Sequence, residues 1–188
     1  MPVGNSEAPS SADDLPRLIA NPLSGERILI RQSGEETNGA LLAFDLYLPP
    51  GGKVPSGHVH PGQTERFTVV SGRLRFRLGR RVVHAVAGDA VTVPPGTAHW
   101  FRNDGAQEAH AVVEVRPALR MQELFWRSEG LARRRGLLGT RLPRPGALAL
   151  FLREFDSEVA VPILPRFLVR PALAAITLPL RAWPGRRR

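Results

Sequence analysis

Residues 52–72 read GKVPSGHVHPGQTERFTVVSG, and residues 88–103 read GDAVTVPPGTAHWFRN. In the first stretch His58 and His60 stand at i and i+2, so on an extended strand both imidazoles project to one face. Pro61-Gly62 is a turn signal, and the strand after it brings the Glu65 carboxylate back toward the same point. Gln63, two residues before Glu65, shares that face. In the second stretch Pro94-Pro95-Gly96 turns the chain into a further strand, where His99 and Phe101 point one way and Trp100 and Arg102 the other. Between the two stretches, residues 73–87 form a hairpin. Its first arm, Arg73 to Leu78, alternates strictly, with Leu74, Phe76 and Leu78 on one face and Arg73, Arg75 and Arg77 on the other. That period of two marks a half-buried antiparallel strand, with the arginines as a solvated outer stripe.

Working outward, strand-like runs recur over Ala40–Leu48, Glu65–Val70, Val82–Val86, Val91–Val93 and Ala109–Val115, punctuated by Gly- and Pro-rich turns. Short strands at such spacing predict a sandwich or barrel over residues 23–116. Residues 1–22, polar and proline-spotted, are expected to be a flexible tail. After Pro117 the period changes to that of helices: Met121, Leu124, Phe125, Ser128, Leu131 and Ala132 form one set, and Leu148, Phe151, Leu152, Phe155 and Val159 another. A third helix around Phe167–Trp183 is interrupted by Pro171 and Pro179. Residues 117–188 are thus expected to be a helical extension ending in an arginine tail.

The two quoted stretches resemble the paired motifs of the cupins. Gly52, His58, His60, Glu65 and Gly72 match the first motif, and Gly88, Pro94, Gly96, His99 and Asn103 the second. The resemblance covers 52–103 by motif and 26–116 by strand pattern. It implies a mainly β fold, a small antiparallel jelly-roll barrel, here followed by the α-helical extension. Some bacterial single-barrel cupins are similar in carrying a helical tail. Carried over residue by residue, the resemblance implies that His58, His60, Glu65 and His99 are metal ligands. It also implies a homodimer, and a catalytic role for Glu65 as a proton shuttle.

The donor chemistry agrees with that ligand set. Three imidazoles and a carboxylate suit one divalent transition metal, with Mn, Fe, Co, Ni, Cu and Zn all admissible. By strand parity Ser56, Gln63, Phe67 and Phe101 share the ligands' face, and Phe76 joins them from the hairpin. These five are candidates for lining a substrate pocket, although core packing explains the aromatics more simply. An inward Gln63 needs a polar partner, which water or substrate would supply. His84, His110 and Tyr47 fall on the outer face.

Two function classes follow. One is an enzyme, an oxygenase, isomerase or lyase acting on a small, apolar or aromatic, oxygen-bearing molecule, with the metal as Lewis acid or dioxygen site. The other is a binding or sensor module that holds such a molecule without turning it over. The fold alone does not choose between them.

Composition removes other classes. The 188 residues contain no cysteine, which excludes disulfides, thiolate metal sites and cysteine nucleophiles. The net charge of +9 is not spread evenly: residues 1–116 carry 12 basic and 12 acidic residues, and residues 117–188 carry 14 and 5. All basic residues but Lys53 are arginine, a skew that base composition explains as readily as a binding surface. Arg133-Arg134-Arg135 and Arg186-Arg187-Arg188 lie in no nucleic-acid motif, so no nucleic-acid partner is expected. Contact of the helices with an anionic membrane surface is the less favoured reading, behind packing on the barrel or on a second subunit. No Walker, Gly-x-Ser-x-Gly or Gly-x-Gly-x-x-Gly pattern is present. With no signal segment and no long apolar run, a cytoplasmic location is expected.

Overall fold

A computed structural model describes residues 17–54, 57–133 and 144–162. Nine strands precede two helices among these residues. They are β1 Leu18–Ala20, β2 Arg27–Gln32, β3 Leu42–Leu48, β4 Thr64–Ser71, β5 Arg73–Leu78, β6 Arg81–Val86, β7 Ala90–Val93, β8 His99–Arg102 and β9 Ala109–Arg116, then α1 Met121–Arg133 and α2 Pro145–Glu154. Two antiparallel sheets face each other, a six-stranded one ordered β1-β2-β3-β9-β4-β7 and a three-stranded one ordered β6-β5-β8. Residues near Lys53 and His58 extend the smaller sheet through bridges to Arg102 and His99. This is the jelly-roll arrangement that the resemblance implied, within the sandwich or barrel class expected from the spacing of the strands.

Alternation decides which side chains fill the space between the sheets. Leu42, Phe44, Leu46 and Leu48 on β3, Phe67 and Val69 on β4, Leu74 and Phe76 on β5 and the alternate residues Ala109 to Val115 on β9 are all buried. Arg73 and Arg77 point outward and are exposed, while Arg75 is half-buried between its cross-strand neighbours Arg102 and His84. Two motif glycines answer to close approach. A Cβ on Gly72, where φ is +75°, would lie 2.7 Å from the Ala109 Cα, and one on Gly52 would lie 2.9 Å from the Pro49 carbonyl. Asn103 closes the same end, donating to the carbonyls of Leu48 and Gln107.

The structure departs from the sequence expectations in three places. The tail expected over 1–22 ends early, because Leu18–Ala20 pairs with β2 and buries Ile19 in the core. β2 itself was not among the expected runs: Ile28 and Ile30 face inward, but Leu29 lies outward, 41% exposed, and blurs the alternation. The second helix stops at Glu154, with Phe155 as its C-cap, although helical spacing continues to Val159. Val159 lies beyond the helix, its amide returning to the Phe155 carbonyl, and the next residue, Ala160, bridges to Val59.

The two helices lie on the barrel. Met121 and Leu124 of α1 join the core, and the Phe125 ring meets Phe44 edge-on at 5.2 Å. Phe155, just after α2, has no exposed surface. The helices thus pack part of their apolar faces on the barrel, with Leu148 of α2 left 38% exposed. No helix among the described residues is long and apolar enough to cross a membrane. The third helix expected over Phe167–Trp183, the first 16 residues of the tail, Arg134-Arg135 and Arg186-Arg187-Arg188 lie outside the described residues.

Candidate metal centre

His58, His60, Glu65 and His99 converge between the two sheets, their ligand atoms all within 4.8 Å of one another. The backbone explains the convergence. His58 and His99 face each other across a closed bridge, each amide donating to the other's carbonyl, so their rings stand 4.2 Å apart. The His60 ring lies 5.0 Å from that of His58 and 5.3 Å from that of His99. Glu65 enters from the opposite sheet, where β4 holds it between Val93 and Val115. His60, Glu65 and His99 are buried, and His58 is half-buried.

Hydrogen bonds fix how the rings turn. The Nδ1 of His60 lies 2.6 Å from the Glu158 carbonyl, and that of His99 lies 3.1 Å from the Thr97 carbonyl. A peptide carbonyl only accepts, so both Nδ1 atoms carry the hydrogen. Both Nε2 atoms then face Glu65 Oε2, at 3.6 Å from His60 and 3.1 Å from His99. Burial alone would raise the Glu65 pKa, but the hydrogen bond from His99 and the three imidazoles outweigh it and hold the carboxyl below its ordinary value. Burial alone would lower His99, and the Glu65 bond and charge, with the Thr97 carbonyl, outweigh it and raise it.

These donors fit a transition metal. With Nδ1 committed as a donor, His99 turns its Nε2 to Glu65 at 3.1 Å, the nitrogen that a metal would take. Ligands on opposite sides of an ion bound at about 2.1 Å are roughly 4 Å apart, close to the observed span. Imidazoles whose second nitrogen is held by a carbonyl are the usual form of metal-binding histidine.

The other sequence candidates are placed less centrally. Gln63 is fully buried, and its amide nitrogen donates to the Pro117 and Ala118 carbonyls, so protein backbone supplies that nitrogen's partner, while its buried Oε1 has none among the described residues. Phe67, Phe76 and Phe101 form a closed trio with centroids 4.9–5.6 Å apart, the packing alternative for these rings. Ser56 lies outside the described residues. His84 is exposed on the outer face, near Asp104. His110 also faces outward, bonded to Asp45 and stacked on Tyr47 at 4.5 Å. Burial would raise Asp45, yet the bonds from Arg31 and His110 hold it below its ordinary value.

Two contributors were missed. Glu26 occupies an inward position in step with Ile28 and Ile30, where burial pushes its carboxyl up to about 7 against hydrogen bonds to Ser24 and Asn21, with a further rise from the Glu65 charge. Extending the alternation of β2 back by two residues would have found it. The Glu158 carbonyl is a backbone group 98 residues from His60, and no side-chain pattern announces it.

A family model described as a cupin domain matches residues 44–115. Among solved structures, the chain is similar to a Klebsiella pneumoniae protein described as an uncharacterized conserved protein with a double-stranded β-helix domain. Identity is 24%, covering 61% of this chain and 93% of that one, with a TM-score of 0.46. It is similar as well to a Thermotoga maritima protein described as a predicted oxalate decarboxylase, at 24% identity over 57% of this chain and 96% of that one, TM-score 0.49. A third is a Silicibacter pomeroyi protein described as a sugar phosphate isomerase, at 23% identity over 56% and 73%, TM-score 0.47. No curated protein matches the chain by sequence.

Proposed function

Because this chain belongs to the cupin superfamily through residues 44–115, we propose that His58, His60, Glu65 and His99 hold one divalent transition metal, and that the protein acts there on a small oxygen-bearing molecule as an oxygenase, isomerase or lyase. The observation that carries this reading is the convergence of three imidazoles and one carboxylate within 4.8 Å, two of the imidazoles already turned by backbone carbonyls. When bound, the metal would supply Lewis acidity or a dioxygen site.

The chain's own groups do the rest. The Thr97 and Glu158 carbonyls hold the His99 and His60 rings in one tautomer. Glu65 Oε2 faces both Nε2 atoms and is the oxygen placed to ligate the metal, so a substrate proton can be held on this carboxylate when it loosens from the metal. Burial of His60, Glu65 and His99 keeps bulk water from the centre, and the Phe67–Phe76–Phe101 trio gives the interior an apolar character. That environment suits an aromatic or weakly charged molecule bound through its oxygens.

The second reading, a module that binds without turnover, draws support from the closure of the site: three of the four ligands and all three phenylalanines are buried. Dioxygen uptake and product formation on a panel of enols and small aromatic diols separate the two. Turnover lost in Glu65→Gln supports the enzyme, and tight binding without turnover of any compound supports the module. We propose further that the protein is a cytoplasmic homodimer. Sedimentation at micromolar concentration giving twice the chain mass supports this, and a monomer mass contradicts it.

A further inference from the structure

Both imidazoles whose Nδ1 hydrogens are fixed take a backbone carbonyl as partner, but from different places. His99 uses Thr97, two residues away on its own turn. His60 uses Glu158, which belongs to the C-terminal extension. The segment that delivers this carbonyl is built with care for position. Phe155 anchors its start with no exposed surface, under the Arg120 guanidinium at 4.8 Å from the ring. The amides of Glu158 and Val159 both return to the Phe155 carbonyl. The Glu158 side chain is buried, and its Oε1 accepts from the Arg120 amide. Val59 and Ala160 then exchange two amide bonds of 2.9 Å, so the segment is paired with the residue between the two histidine ligands. Pro162 follows beside Gly57.

We propose that residues 155–162 are a positioning strap for the metal centre, whose Glu158 carbonyl sets the tautomer and orientation of His60 and thereby its affinity for metal. The strap deepens the metal reading and rests on it. Without the carbonyl, His60 loses the partner that commits its hydrogen to Nδ1, and the ring is free to present either nitrogen. Partners of this kind change metal affinity by about 10–100-fold when removed. The C-terminal extension thus serves the site, while the barrel supplies the ligands.

Three full-length variants test this. Glu158→Ala removes the side-chain acceptor that anchors the strap to Arg120, Glu158→Gln keeps an acceptor oxygen there, and Ala160→Pro removes one of the two bonds to Val59. Two readouts are taken: cobalt(II) affinity by chelator competition, and the side-chain nitrogen resonances of His60 and His99 in metal-free protein. The expected result is cobalt binding about 10–100-fold weaker in Glu158→Ala and Ala160→Pro, with recovery in Glu158→Gln. The Nδ1–H signature of His60 should be lost in the two weakened variants while that of His99 persists. Unchanged affinity and an unchanged His60 signature in both would overturn the strap. If the wild type binds no cobalt, the metal reading fails, and the His60 resonances still decide whether the strap orients the ring.

Discussion

Gln63 and Ala118 are joined by a hydrogen bond of 3.1 Å, from a fully buried side-chain amide to a backbone carbonyl 55 residues further on. The same nitrogen donates to Pro117 at 3.0 Å. Gln63 lies between the ligands His60 and Glu65, so this contact ties the turn leading into α1 to the ligand-bearing strand. The extension is therefore fastened to the metal end of the barrel twice, here and at His60.

Gln63→Leu keeps the volume and removes the donor, leaving two carbonyls without this partner. Thermal and urea unfolding should show a loss of about 1–3 kcal/mol, the cost of an unsatisfied buried polar group. Unchanged stability would mean that the turn finds other donors.

Glu26 makes stability depend on pH. Its carboxyl has an ordinary pKa of 4.5 when unfolded and about 7 when folded. Below 4.5 it is neutral in both states, and the stability it contributes is fully present. Between the two values the folded chain retains a proton that the unfolded chain releases, so stability falls as pH rises through about 7. By linkage the loss is about 3 kcal/mol. Glu26→Gln has no such titration. Urea unfolding of metal-free protein should show the variant gaining on the wild type between about pH 5 and about pH 8. A difference that does not change with pH contradicts the assignment.

Phe67 has no exposed surface and touches both Phe76 and Phe101. Phe67→Ala should cost about 3–5 kcal/mol through lost burial and a cavity, read as a lower urea midpoint. A small loss accompanied by altered ligand binding would move the ring from the core to the pocket.

How far the site was legible depended on where each part lay in the chain. His58 and His60 stand two apart before the Pro61-Gly62 turn and Glu65 follows it on β4, so parity and spacing pointed these three to one place. His99, after its own Pro-Gly turn, was joined to them by the resemblance to the cupin motifs. Gln63 was read correctly as inward, but its partners come from residues 117 and 118, which no local pattern connects to it. Glu26 escaped because the outward Leu29 hid the strand that aims it. Phe155 and Val159 stand at helical spacing because both pack against the barrel, yet the chain leaves the helix after Glu154, and Ala160 pairs with Val59. Local periodicity reports burial well; it does not report a backbone carbonyl such as that of Glu158, which is supplied from far along the chain.

The most direct test is elemental analysis of protein purified without added metal or a histidine tag, beside His58→Ala combined with His99→Ala. Near-stoichiometric transition metal in the wild type and none in the double variant is the predicted result. Metal retained by the double variant, or absent from freshly purified wild type, would contradict the assignment of His58, His60, Glu65 and His99 as a metal centre.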